Sequence, residues 1–174
     1  IALLMPARVK PPQAGEFNFY DFGRIPVVAE GRCKPLDRVA RNTLRVVSNR
    51  ETAKLLVKDG EKEKLEDRSA IQWLLDTISR SDNLENYQVF RIDSLDTIGL
   101  FDLQRRKSGC YSIAELQDKF DDFLGELKKA HNKDKAALTV YDRGMLDLEK
   151  RFGRYSVLRD SFTPVPIGEL PNVD

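Results

Sequence analysis

Histidine is almost missing from this chain: His131 stands alone, beside two cysteines, two methionines and one tryptophan in 174 residues. The two cysteines, Cys33 and Cys110, form neither a Cys-x-x-Cys pair nor a ligand-spaced cluster. With one histidine they leave no structural zinc site. A Ser-His-Asp triad would rest on His131 alone, and a Cys-His pair would need His131 folded beside one of the cysteines. No Gly-x-x-x-x-Gly-Lys-Ser/Thr or Gly-x-Gly-x-x-Gly loop occurs, so no phosphate-cradling turn is written in the sequence. No apolar run approaches the ~18 residues of a membrane span. An excess of one charge is absent too. The 29 Lys and Arg against 28 Asp and Glu leave +1, which creates no overall field to gather nucleic acid or anionic lipid. What is present is 41% hydrophobic and 33% charged residues, enough for a core but more charged than an average domain.

The pattern along the chain predicts a mainly α fold. Ile1 to Met5 followed by Pro6, Arg8, Lys10 and Pro11-Pro12 reads as a leader over 1–16, either flexible or membrane-proximal. Residues 15–35 look extended, with a short hairpin turning at Gly31 and with Pro26 and Pro35 at strand ends. Leu36, Val39, Ala40, Thr43, Leu44 and Val47 recur at helical steps and predict a helix from Leu36 to Ser48. Lys54 to Arg68 reads as a solvated connector. Ser69 is a predicted N-cap for a helix to about Arg80 that should be central to the core. Tyr87 to Ile92 suits a strand, and Ser94 a cap for a short helix. Ser112-Ile113-Ala114-Glu115 is a capping box. The apolar spacing from Ile113 to Leu127, then from Leu138 to Phe152, predicts a C-terminal antiparallel helical hairpin. Gly144 weakens its second helix by about 1 kcal/mol relative to alanine. Pro164, Pro166, Gly168 and Pro171 make 156–174 an extended tail. The organisation is therefore a leader, one mainly helical domain over 17–155, and the tail.

The candidate binding residues lie in one basic segment. From Arg24 to Arg50 there are seven basic and two acidic residues. Arg24, Arg32, Lys34, Arg38, Arg41 and Arg45 are the candidate anion or partner contacts, arginine being suited to bidentate grips on carboxylate or phosphate. The alternative is that they pair with carboxylates elsewhere in the fold. Nucleic acid is not expected, because no aromatic interleaving or binding motif accompanies the charge. His131 belongs to a polar helix end, and Asp118, Asp121, Asp122 and Glu126 to the solvated face of a helix. Trp73 sits in the most apolar segment and reads as core. Direct haem binding would have only His131, Met5, Met145 and the cysteines as axial ligands.

Three stretches taken together resemble a segment of large membrane-bound cytochrome c biogenesis proteins, fused or CcsA/ResC-like members of the cytochrome c assembly machinery. They are Phe22-Gly23-Arg24-Ile25-Pro26-Val27, Gly31-Arg32-Cys33-Lys34-Pro35-Leu36-Asp37 and Ala40-Arg41-Asn42-Thr43-Leu44. Ala70 to Asp76, Val89 to Asp93, Tyr111 to Leu116 and Tyr141-Asp142-Arg143 follow in the same order, so the resemblance spans roughly 17–155. The resemblance implies a domain on the extracytoplasmic (periplasmic) side of a membrane protein. Its pathway attaches haem to apocytochrome Cys-x-x-Cys-His thiols. Its partners would be apocytochrome c and other maturation components. The family's Trp-rich WWD segment and flanking membrane histidines do not occur in these residues. No catalytic residue is therefore carried over, and haem is expected in the pathway rather than on this chain. Cys33 stands where an aliphatic residue is expected.

The leading expectation is a non-catalytic domain that positions partners or the haem-transfer site through the basic segment. A helical adaptor, marked by exposed Leu116, Phe123, Leu146 or Leu148, is the first alternative. The second is a small enzyme gripping an anionic metabolite in a pocket around Arg38, Arg41 and Arg45.

Overall fold

The computed structural model describes residues 16–60 and 62–162. The predicted leader, apart from Glu16, and the tail beyond Phe162 lie outside the described residues. The described chain is mainly helical with small antiparallel hairpins. Its elements are α1 (Phe19–Arg24), β1 (Pro26–Ala29), β2 (Arg32–Pro35), α2 (Leu36–Ser48), β3 (Thr52–Asp59), β4 (Lys62–Ser69), α3 (Ala70–Ser79), β5 (Phe90–Arg91), α4 (Leu95–Leu100), β6 (Cys110–Tyr111), α5 (Ile113–Leu116), α6 (Phe120–His131) and α7 (Val140–Asp160).

The helix starts follow from local chemistry. Ser69 accepts from Gln72 N, and the Gln72 side chain reaches back to Ser69 N at 2.9 Å, closing a capping box on α3. Ser94 caps α4, and Ser112 with Glu115 closes a box on α5. The stripe expected on α2 is the one it buries. Trp73 and Leu74 of α3 are fully buried in the core; α2 touches α1, α3, α7 and four strands, and α7 is a second broadly packed helix. It packs against α2, α3, α4, α6 and β5, with Phe152 and Tyr155 closing on Phe90 at ring-centroid distances of 4.6 and 5.2 Å.

Four local expectations are corrected. Residues 19–24 are helical, not extended: Asn18 accepts from Asp21 N at 3.1 Å and caps α1. Gly23 is buried there, packed so closely on α2 that a Cβ would stand 3.2 Å from Asp37 Cβ. Lys54 to Arg68 is a β-hairpin rather than a connector. Ala53 and Leu55 point into the core, while cross-strand charges such as Lys54 and Asp67, 2.9 Å apart, stabilise the outer face. The long helix from Ile113 is interrupted by a tighter turn at Gln117–Lys119 before α6 begins. Finally, α7 continues to Asp160, past the predicted start of the tail, because Tyr155 and Leu158 are buried on its inner face.

Candidate functional site

The β1–β2 hairpin turns through Glu30 (φ 55°) and Gly31 (φ 72°). This pair of left-handed residues matches the right-handed twist of the strands they join. Pro26 and Pro35 face each other at the open end of the hairpin. Leu36 N, at the start of α2, donates to Ile25 O at 3.0 Å, which ties α2 to the base of the hairpin. On α2, Arg38, Asn42 and Arg45 recur at four- and three-residue steps and share one face.

Three adjoining depressions run along this face. The first, about 340 Å3, is lined by Arg32, Cys33, Lys34, Pro35, Arg38 and Asn42. The second, about 570 Å3, shares Asn42 and adds Glu30, Arg45, Val46, Lys150 and Arg154. The third, about 240 Å3, shares Glu30 and Arg154 and is floored by Ala29, Val39 and Leu158 between Val28 and Val157. Among the described residues six cations line this path with one carboxylate, Glu30. That carboxylate is held by Lys34 at 2.6 Å and by Arg154 at 2.8 Å. The Lys34 hydrogen bond first, and then that of Arg154, keep the Glu30 carboxyl below its usual range. Arg32, Arg38 and Lys150 are exposed and have no acidic partner among the described residues.

The structure therefore divides the predicted residues. Arg32, Lys34, Arg38 and Arg45 come together. Arg41 does not: it bonds Asp37 at 2.7 Å and reaches Glu51 at 3.4 Å, and the Asp37 hydrogen bond raises its pKa. Glu51 also takes Arg45, and chiefly that bond lowers its pKa. Arg38, Arg41 and Arg45 thus do not converge on a single pocket. Arg24 stacks over Tyr20 at 5.4 Å and lines none of the three depressions. Lys150 and Arg154 were not foreseen. Their signal is the stripe Lys150, Arg154 and Val157 on α7, at four- and three-residue steps that run past Phe152, the last residue of the predicted apolar repeat.

The cysteines are both free thiols; Cys33 is exposed and Cys110 buried. Cys110 Sγ donates to Ser48 O at 3.8 Å, and burial pushes its thiol pKa up. This bond completes the C-terminus of α2. Arg45 O accepts from Asn49 N at 3.1 Å, and Arg151 donates to Val46 O and Val47 O at 2.9 and 3.0 Å. Every carbonyl of that last turn therefore has a partner, most of them supplied from distant elements.

His131 ends α6 and lies 2.9 Å from Glu149 of α7, exposed. Met145 is buried. No group of three or more His, Cys, Asp or Glu among the described residues could hold a metal ion, and no helix among them is long and apolar enough to cross a membrane. A separate depression of about 600 Å3, lined by Arg80, Ser81, Asp82, Leu84, Glu85 and Arg159, carries balanced charge. The apolar residues that would mark the last two helices as a docking face are mostly covered. Leu116, Phe123 and Leu148 are buried and Leu146 half-buried, while Phe120 and Leu124 stay exposed on α6. No protein-family model matches the chain, and comparison with curated proteins and with solved structures finds no match.

Proposed function

We propose that this chain is a non-catalytic, extracytoplasmic domain of a cytochrome c maturation membrane protein. It positions apocytochrome c, other maturation components or the haem-transfer site, with haem as cargo of the pathway. The ordered resemblance around Gly31-Arg32-Cys33-Lys34-Pro35-Leu36-Asp37 supplies the pathway. The observation that carries the role is that Arg32 and Arg38 have no acidic partner among the described residues, in a chain whose charges are almost balanced. Charges left unpaired on one face favour an anionic partner and steer its approach. The α6 and α7 pair is read as an antiparallel helical hairpin, of which α7 holds the end of α2 through Arg151.

The test is R32A/R38A in the intact gene in its host, with holocytochrome c yield measured against protein level. A fall in yield at unchanged protein level is expected. R41A, tied to Asp37 and Glu51, serves as the comparator on the same helix. An unchanged yield in R32A/R38A overturns the proposal.

A further inference from the structure

We infer that the path from Arg32 to Val157 is a docking groove for an extended acidic peptide segment carrying one apolar anchor residue. The inference deepens the partner-positioning role and rests on it for its biological meaning. The groove joins two chemistries in a fixed order. One end is a small apolar trough, floored by Ala29, Val39 and Leu158 and rimmed by Val28 (81% exposed) and Val157 (64% exposed). Its volume of about 240 Å3 suits one large apolar side chain. The other end is a row of cations: Arg154 and Lys150, then Arg45, then Arg38 and Arg32 across Asn42.

A peptide fits this order better than other anions do. A single phosphate or small carboxylate would use only part of the row, since Arg32, Lys34 and Arg38 line one depression and Arg45, Lys150 and Arg154 the next. Single-stranded nucleic acid binds by stacking its bases on aromatic side chains, and none lines the groove. A bilayer meets a flat or convex cationic face, whereas here the exposed valines border a recess. Among the described residues Glu30 is the one carboxylate lining the path, and Glu51 holds Arg45 from beside it. Glu30 stands between trough and cations, already engaged by Lys34 and Arg154. An arriving carboxylate would compete with Glu30 for Arg154 and meet Lys150 unopposed.

The experiment uses the full 174-residue chain and a fluorescein-labelled peptide, Gly-Leu-Asp-Glu-Asp-Glu-Gly, followed by anisotropy. Controls carry Asn and Gln for the acids, or Gly for the Leu. The acidic Leu peptide should bind, each control roughly tenfold more weakly, with affinity falling as salt rises. R38E and K150E should each weaken binding by a similar factor. E30N, which removes the repulsion and suits the left-handed backbone, should tighten it. Circular dichroism and Trp73 fluorescence confirm that each variant is folded.

Absence of binding, or equal binding of the controls, overturns the inference. So does preferential binding to heparin or to phosphatidylserine vesicles with the same variant dependence. Self-association abolished by K150E would make a second copy the occupant and overturn it as well. Peptide binding with an unchanged holocytochrome yield keeps the groove and removes the maturation role. A loss of yield without peptide binding does the reverse.

Discussion

Gly144 of α7 and Thr97 of α4 approach so closely that a Cβ on the glycine would come within 2.7 Å of Thr97 Oγ1, and within 3.0 Å of Ser94 Cβ. A residue that sequence reasoning counts as a weakness in the helix is the contact point on which α4 sits. G144A gains about 1 kcal/mol of helix propensity. It then loses more, because Thr97 is fully buried and stiff.

G144A should therefore destabilise the fold by a net of up to about 2 kcal/mol, an overpacking cost of ~1–3 kcal/mol less the ~1 kcal/mol of helix propensity gained. T97A should recover a substantial part in the double variant, because the two share one contact. Urea unfolding followed by Trp73 fluorescence measures all three variants. A more stable G144A would mean that α4 moves freely against α7.

Arg151 closes the end of α2. R151A leaves Val46 O and Val47 O without their donor and should cost about 1–3 kcal/mol. R151K keeps the charge but cannot reach both carbonyls with one planar group, so it should recover only part. Denaturant midpoints for R151A, R151K and D147A decide it. An R151A midpoint equal to wild type would show that the capping is dispensable.

Asp142 is almost fully buried. It accepts from Lys133 at 2.8 Å through both oxygens, and from Thr139 Oγ1 and N at 2.7 and 2.8 Å. The Lys133 hydrogen bond first, then those of Thr139, pull its pKa from 3.8 down to about 2. A lowered native pKa adds stability that is fully present above 3.8 and is lost as the pH falls toward about 2. Stability measured from pH 5 to 2 should fall less steeply in D142N than in wild type, an asparagine having no charge to lose. Parallel profiles would show that the acid-sensitive group lies elsewhere.

The two thiols should differ in kinetics. Cys33, exposed on β2, should react at once with a maleimide in the native protein. Cys110, buried against Ser48, should react only as the fold opens. Mass spectrometry under native and denaturing conditions counts the labels. Two rapid labels in the native state would contradict the burial of Cys110.

The helices with periodic apolar faces or serine caps were legible from the chain: α2 by its spacing alone, and α3, α4 and the start of α5 by spacing together with a serine cap. Elements whose stability comes from elsewhere were not. The β3–β4 hairpin hides behind a high charge content, since only Ala53 and Leu55 face inward near its base. Helix α1 is short, rests on one asparagine cap, and needs the pocket formed by Asp37 and Ile71 to make its glycine an advantage.

The binding face shows the same division. Local composition alone concentrated positive charge between Arg24 and Arg50, because charge is a property of each residue and survives any folding. Which of those charges stay available depended on tertiary placement. Glu51 lies close enough to draw in Arg41 and Arg45, Glu30 is shared, and α7 brings Lys150 and Arg154 across from more than a hundred positions away. Pairing falls off steeply with distance and solvent screening, so only the folded chain decides which cations face a partner and which are spent on one another.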